Sequence, residues 1–147
     1  MRSIKGFLVA IALFAGGMVW FACEKEGGEI VGASHNAGNN CLVCHKSGGQ
    51  GDGIFTAGGT VYKTGTTTGL SGVSVKIFSN TEGTGTPVAT MTSDNGGNFY
   101  SKSSINFGTG LFVKVSSSNG TSAMGSSITS GACNGCHGIV TDKIFVQ

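Results

Sequence analysis

The sequence contains the pattern Cys-x-x-Cys-His twice, at Cys41–His45 and at Cys133–His137. We call these stretches the first motif and the second motif. Together they take up four of the five cysteines and two of the three histidines. A chain of 147 residues has room for one domain. That domain must therefore accommodate two copies of one ligand-bearing pattern.

Four chemistries use a C-x-x-C pair, and the histidine that follows separates them. Covalent attachment of c-type haem needs two thiols at this spacing for the vinyl groups of the porphyrin, and then a histidine for the iron. Zinc knuckles usually lie about 15–20 residues apart, whereas 88 residues separate Cys44 from Cys133, although a folded domain could still bring them together. Two structural disulfides would leave both histidines unexplained, and a thioredoxin-like redox pair lacks its βαβ pattern. The pattern favours haem, with the other three chemistries as alternatives.

Residues 1–22 are predicted to be a signal peptide. Arg2 and Lys5 precede an uncharged, mostly apolar stretch over 6–22, and charges resume at Glu24. This is the layout of a secretory signal. An uncleaved membrane anchor is the alternative, although the stretch is near the lower length limit for crossing a bilayer. Export agrees with haem, because c-type haem is attached outside the cytoplasmic membrane in bacteria.

Residues 20–23, Trp-Phe-Ala-Cys, resemble the lipobox of bacterial lipoproteins, in which the cysteine is lipidated and becomes the new N-terminus. Ala22 fits that pattern, and Trp20 departs from it because an aliphatic residue is usual there. The resemblance implies lipidation of Cys23 and a polar tether over 23–33. Glu24 after the cysteine favours the outer membrane, with the protein facing the periplasm or the cell surface.

Two six-coordinate irons need four axial ligands, and the motifs supply two of them, His45 and His137. The remaining histidine is His35, six residues before Cys41. We expect it to be a distal ligand, and we favour the haem of the second motif over that of the first, because an upstream histidine often serves a neighbouring haem in multihaem cytochromes.

Methionine is the other candidate for a distal ligand. Met91 lies in an alternating stretch that predicts a strand, so we expect it in the core. Met124 lies in a loop rich in Ser, Gly and Thr, nine residues before the second motif, and is a candidate ligand. A methionine ligand raises the potential of a haem. A position that no side chain fills would be left to water, another chain or nothing.

Residues 58–128 are predicted to form a β-sandwich, because short apolar–polar alternations recur between turn residues. The segment Asp94–Gly97 is predicted to be a hairpin turn. The first-motif segment is placed at 34–57, and the second-motif segment, with a closing strand, at 129–147. The predicted strands are 59–63, 73–79, 88–92, 98–102, 111–115, one near Thr121, and 142–146. Seven reversing strands would start the first and last strands at the same end, so both motifs would gather there, whereas six strands would place the motifs at opposite ends.

The stretches GGTVYKTGTTTGLSGVSVKIFS, ATMTSDNGGNFY and LFVKV resemble the carboxypeptidase regulatory-like, or transthyretin-like, domain over residues 58–116. The likeness rests on a Gly-x-Val first strand, a Gly-Val-x-Val second strand, a Thr-x-Asp turn and a late Val-x-Val strand. It implies a mainly β fold, a prealbumin- or Ig-like β-sandwich, which usually serves as a binding or spacer module without catalysis.

The chain as a whole resembles a dihaem c-type cytochrome lipoprotein. The resemblance implies an electron carrier rather than an enzyme, with two covalently bound c-type haems through Cys41, Cys44, Cys133 and Cys136. Its partners would be other redox proteins and, through the lipid, a membrane; the missing fourth ligand permits self-association. The net charge is +2, and equal numbers of acids and bases remain without Arg2 and Lys5. This balance argues against a nucleic-acid partner.

The alternative function is a lipid-anchored β-sandwich that binds or senses a ligand, with an open haem or with structural metal sites. The two functions differ in the coordination of the irons. An iron without a sixth protein ligand would bind carbon monoxide readily, whereas a zinc protein would be colourless.

Overall fold

The computed structural model describes residues 34–146. The predictions of a signal peptide over 1–22, of lipidation at Cys23 and of a tether over 23–33 lie outside these residues. Within 34–146, no helix has the length and apolar character needed to span a bilayer.

The described part of the chain is mainly β. One short helix, α1 (Cys41–Cys44), precedes the strands, and a 3₁₀ turn (Cys133–Gly135) lies between the last two. The strands are β1 (Ala57–Tyr62), β2 (Ser74–Phe78), β3 (Ala89–Thr92), β4 (Asn98–Ser101), β5 (Phe112–Ser117), β6 (Gly120–Ala123), β7 (Gly131–Ala132) and β8 (Ile144–Phe145).

One sheet has the order β3-β2-β5-β6, and all its neighbours are antiparallel. Buried and less buried side chains alternate along its strands β2 and β5, as the sequence predicts. Val75 of β2 pairs with Met91 of β3 and with Val115 of β5, and all three side chains are buried. Because successive side chains point to opposite faces of a strand, this row forms one apolar face. Met91 is therefore a core residue, as predicted.

The other sheet is built around β1, in which all six residues are buried. β4 pairs with β1 antiparallel, whereas β7 and β8 pair with it parallel. β8 thus runs in the same direction as β1. A count of seven reversing strands predicted this direction, but the described residues contain eight strands, so the count was wrong. Buried residues of both sheets, including Val61, Phe99 and Val113, belong to one core. The arrangement is β-sandwich-like.

The turn at Asp94–Gly97 differs from the prediction of a hairpin. The turn is tight, since Asp94 Oδ1 accepts hydrogen bonds from the backbone of Gly96 and of Asn98 at 2.9 and 3.0 Å. However, β3 and β4 belong to different sheets, so the chain crosses between layers there. The crossing is held by Val61 of β1, whose backbone N–H donates to the carbonyl oxygen of Gly97 at 2.8 Å.

Candidate functional site

Both motifs adopt one turn of helix. In each, the backbone N–H of the histidine donates to the carbonyl of the first cysteine, at 2.9 Å from His45 to Cys41 and at 2.9 Å from His137 to Cys133. Asn40 caps the first turn by accepting from the backbone of Leu42. Positions i, i+3 and i+4 share one face of a helix. The two cysteines and the histidine of each motif are therefore on the same side.

The two histidines make the same hydrogen bond. Nδ1 of His45 donates to the carbonyl oxygen of Asp52 at 2.9 Å, and Nδ1 of His137 donates to that of Asp142 at 2.7 Å. A carbonyl oxygen only accepts, so each Nδ1 carries a hydrogen, and in a neutral imidazole Nε2 then keeps its lone pair. Metal-bound histidines in proteins are oriented in this way. Both side chains are thus prepared to ligate through Nε2.

Local turns bring these carbonyl groups to the histidines. After the first motif the chain folds back so that the N–H of Gly51 donates to the carbonyl of Cys44 at 2.9 Å. A Cβ at Gly51 would lie 2.7 Å from Nδ1 of His45, so a side chain has no room there. After the second motif, the N–H groups of Val140 and Thr141 both donate to the carbonyl of Cys136, which returns Asp142 to His137.

The thiols of the two motifs are in different states. Cys133 and Cys136 are both free, and so is Cys41, whereas Cys44 is disulfide-bonded. Neither motif is therefore closed by a disulfide of its own. Burial raises the pKa of Cys41, and burial, with the nearby Cys41 thiol, raises the pKa of Cys133 to about 12.

Strand β1 separates the first cysteines of the two motifs. A Cβ at Gly58 would lie 3.2 Å from Cβ of Cys41, and a Cβ at Gly59 would lie 2.8 Å from Cβ of Cys133. Neighbouring positions of a strand face opposite ways, so the two cysteines approach β1 from its two faces. The two motif segments therefore lie at the same end of the fold, on either side of one strand.

The first motif has aromatic surroundings. His45 is 7% exposed and stacks on Phe55, with ring centroids 3.9 Å apart and planes 3° from parallel. Phe55 stacks in turn on Tyr100 at 4.3 Å. The ring of His35 lies 5.8 Å from that of His45. The structure therefore places His35 beside the first motif, whereas the sequence analysis favoured the haem of the second motif. The side-chain amide of Asn98, in β4, holds His35 there by donating to its carbonyl oxygen at 3.1 Å.

The second motif opens onto a cavity of about 600 Å³. Cys133, Cys136 and His137 line it together with Met124, the methionine that the sequence marked as a candidate ligand. His35 is not among the residues that line this cavity. Much of the remaining wall is apolar and comes from both sheets: Phe99, Val113, Val115, Ile128, Ile144 and Phe145. A cavity of this size and character is typical of cofactor sites.

Exposed apolar side chains collect near the two motifs. Ile139 and Val140, directly after the second motif, are 71% and 78% exposed. Val43 lies within the first motif, and Ile54 follows the carbonyl groups that bind His45; both are also exposed. Four of the six exposed large apolar side chains among the described residues thus lie within the first motif or follow one of the two motifs closely in the sequence.

Several residues that shape these sites carried no signal in our reading of the sequence. Gly58 precedes the predicted strand 59–63 and Gly59 begins it, and the sequence analysis drew nothing from this pair, although glycine in a strand often marks the close approach of another group. Phe55 and Asn134 gave no signal of their own, because their roles depend on contacts with residues far along the chain.

Residues 34–146 contain no group of three or more His, Cys, Asp or Glu side chains arranged to hold a metal ion. A haem iron would need fewer protein ligands than a zinc ion, because the porphyrin supplies its equatorial ligands.

Comparison of the chain with protein-family models, with curated proteins and with solved structures gives no match. The resemblances to a lipoprotein, to a dihaem cytochrome and to a transthyretin-like domain rest on the motifs quoted above and remain predictions.

Proposed function

We propose that this protein is an exported dihaem c-type cytochrome that carries electrons, with one haem held by each motif. The observation that carries the proposal is the matched pair of histidines. His45 and His137 follow their cysteines at the same spacing, and each donates its Nδ1–H to a backbone carbonyl so that Nε2 is left for a metal. Two unrelated loops that produce the same tautomer are hard to explain by packing alone.

The residues around both motifs suit a porphyrin. The second motif faces an apolar cavity of about 600 Å³, and a porphyrin is a large apolar group that needs such a cover. The exposed Ile139 and Val140 would lose solvent contact against it. Burying a large aliphatic side chain stabilises a protein by about 1.5–3 kcal/mol.

His35 is proposed as the distal ligand of the first haem. The ring centroids of His35 and His45 are 5.8 Å apart, so the two imidazoles would be near enough to hold one iron. This separation favours the first haem over the second for His35, in contrast to the expectation from sequence.

Met124 is proposed as the distal ligand of the second haem. It lies on the wall of the cavity that also contains Cys133, Cys136 and His137, and it is only partly buried against the core. The first haem would then have two histidine ligands, and the second a histidine and a methionine. Methionine ligation raises the potential, so the second haem would be the more oxidising centre.

The haem supplies the one-electron chemistry, and the protein supplies attachment, axial ligands and orientation. The β-sandwich, proposed to be prealbumin-like, would act as the rigid scaffold between the two attachment points. Export, lipidation of Cys23 and an outer-membrane anchor complete the proposal. The partners would be redox proteins on the same side of the membrane, and self-association would need a ligand donated by another copy.

Haem attachment at the first motif requires the thiol of Cys44 to be free. A thioether uses the same sulfur that the disulfide of Cys44 occupies, so that disulfide must be absent when haem is attached. The second motif has no such condition, because Cys133 and Cys136 are both free. Loading of the second motif is therefore independent of the disulfide.

A sensor function is the second candidate, and the cavity favours it. If Met124 does not ligate, the iron of the second motif would face a cavity large enough for a small ligand. Carbon monoxide added to the reduced protein distinguishes the two. We expect no fast binding to either haem of a carrier, and fast binding to one haem of a sensor.

The proposal is tested with double variants expressed alongside haem-attachment machinery. Cys41→Ala/Cys44→Ala and Cys133→Ala/Cys136→Ala should each retain one covalently bound haem, seen as haem stain on a denaturing gel and as a halved absorbance. The wild type should retain two and be reduced and reoxidised reversibly. A wild type without covalent haem would refute the proposal.

A further inference from the structure

A buried polar network joins the two motifs through β1. Asn134, the residue after the first cysteine of the second motif, is 1% exposed. Its Oδ1 accepts from the backbone N–H of Thr60 at 3.0 Å, and its Nδ2 donates to Oγ1 of Thr60 at 3.0 Å. The same Nδ2 donates to the carbonyl of Asn39, two residues before the first motif, at 3.0 Å. One side chain of the second motif thus contacts both the strand and the approach to the first motif.

Thr60 is the centre of this network. It is also 1% exposed, and its hydroxyl donates to Oδ1 of Asn98 at 2.6 Å. The same oxygen accepts from the N–H of Gly38 at 2.9 Å. The hydroxyl therefore has three partners, which is the full capacity of a threonine side chain.

Asn98 extends the network to the segment that carries His35. Its Nδ2 donates to Oγ of Ser34 at 2.7 Å and to the carbonyl oxygen of His35 at 3.1 Å. No buried side-chain nitrogen or oxygen within residues 34–146 lacks a partner. A fully satisfied buried network holds its members rigidly, whereas one lost partner leaves several polar groups unpaired.

Haem attachment makes no demand on residue 134. The two positions between the cysteines of the pattern do not react with the porphyrin, and the corresponding residue of the first motif is the apolar Leu42. A polar side chain that is almost completely buried at such a position needs another reason. Its hydrogen bonds supply one, because all of them lead to β1 or to the first-motif segment.

We infer that Asn134, Thr60 and Asn98 are positioning residues that fix the two motifs, and the His35 segment, relative to one another. The network would thereby set the separation of the two haems and hold His35 opposite His45. This inference rests on the proposed function for its meaning, but amide hydrogen exchange reports on the network itself whether or not haem is bound.

The test uses the full-length, haem-loaded protein and three variants. Thr60→Val keeps the shape of the side chain and removes the hydroxyl, and Thr60→Ser keeps the hydroxyl. Thr121→Val makes the same change at an exposed position of β6 and is the control. Amide hydrogen exchange is followed by mass spectrometry in residues 34–45 and 131–137.

We expect Thr60→Val to speed exchange about tenfold or more in both segments, because unpaired buried groups favour local opening. β2 and β5 should keep their rates, and Thr60→Ser and Thr121→Val should resemble the wild type. For Thr60→Val, acceleration in one segment alone, or equally throughout the protein, would overturn the inference.

If Thr60→Val does not fold, Asn98→Ala replaces it. This variant loses the contacts to Ser34 and His35, so we expect faster exchange at 34–39 and unchanged exchange at 131–137. No change at 34–39 would overturn the inference.

A redox titration of the same samples gives the second measurement. The separation between the two midpoint potentials depends on the interaction of the two irons, so it should change in Thr60→Val and return in Thr60→Ser. An unchanged separation with two haems bound would refute the positioning role. A wild type that binds no haem would instead refute the proposed function, and the exchange rates would still decide whether the network joins the segments.

Discussion

The two motifs have the same five-residue pattern but different surroundings. The first motif is enclosed: His45 is almost completely buried, stacks on Phe55 and has His35 beside it. The second is open: His137 is half-buried, and the cysteines line a large apolar cavity that Met124 also reaches. The same pattern thus stands in two environments that differ in burial, in neighbouring side chains and in access of solvent.

This difference should separate the properties of the two sites. Hydrogen bonds to the ligand, burial and the second axial ligand all tune a haem. In the proposed assignment, the first haem has a histidine as its second axial ligand, and the second haem has a methionine. A protein built in this way would hold two centres of different potential on the two faces of one strand.

The largest expected difference concerns the thiols of the haem-free chain. Burial raises the pKa of Cys133 to about 12, so roughly one thiol in 10⁴ is ionised at pH 8. Cys136 of the same motif is exposed. Timed pulses of iodoacetamide, read by peptide mapping, should label Cys136 at least about a hundredfold faster than Cys133. Equal labelling rates would contradict the packing of Cys133 against β1.

The same pKa predicts how stability depends on pH. Between the ordinary value of 9.0 and about 12, the folded haem-free chain keeps a proton on Cys133 that the unfolded chain releases. The free energy of unfolding should therefore fall as the pH rises through this range. Cys133→Ala should show a smaller decline in urea titrations at a series of pH values, and an identical decline would count against this cause.

Replacement of the proposed methionine ligand has the next largest effect. Met124→Leu conserves apolar volume but removes the sulfur, so the potential of one haem should fall by about 0.1 V or more, within the roughly 0.8 V that axial ligands span. Met91→Leu changes a core methionine and is the matched control. Spectroelectrochemistry should find one shifted and one unshifted haem; two unshifted haems would exclude Met124 as a ligand.

The glycine pair of β1 tests how closely each motif packs on the strand. A Cβ at Gly59 would approach Cβ of Cys133 and the Phe99 ring to 2.8 Å each, so Gly59→Ala should cost about 1–3 kcal/mol of stability. Gly58→Ala meets Cys41 at 3.2 Å and should cost less. Gly125→Ala has open space and is the control. Denaturant titration ranks the three variants by their loss of unfolding free energy. Equal losses at all three positions would contradict the close packing of the two cysteines on β1.

The smallest predicted effect concerns the aromatic stack of the first site. Phe55→Leu removes a parallel contact with His45, and such ring pairs contribute about 0.5–1.5 kcal/mol. The loss should loosen the histidine and change the spectrum of the first haem alone. Phe55→Tyr keeps the stack and should restore the wild-type spectrum. A spectral change at both haems would show that the effect of the stack is not confined to the first haem.

Much of the fold could be predicted from the sequence. The alternation of Val73, Val75 and Ile77, and of Val113 and Val115, predicts strands that the structure contains, and the closing strand near Ile144 is also present. The two-residue β7 was missed because two residues show no period. The membership of β3 and β4 in different sheets was missed because alternation describes a strand and not its partner.

Less of the site could be predicted. The residues of the two motifs follow from spacing, because haem attachment uses a fixed local pattern. The position of His35 does not, since it depends on hydrogen bonds from Asn98, far along the chain. The roles of Asn134 and Phe55 likewise come from long-range contacts that a single sequence does not display.

The central claim is that each motif binds one haem covalently. It is tested most directly by the intact mass of the denatured protein after expression with haem-attachment machinery. We expect a mass increase of two haems that survives unfolding. An increase of one haem would contradict the claim for one motif, and the cysteine variants would show which. No increase would contradict the account as a whole.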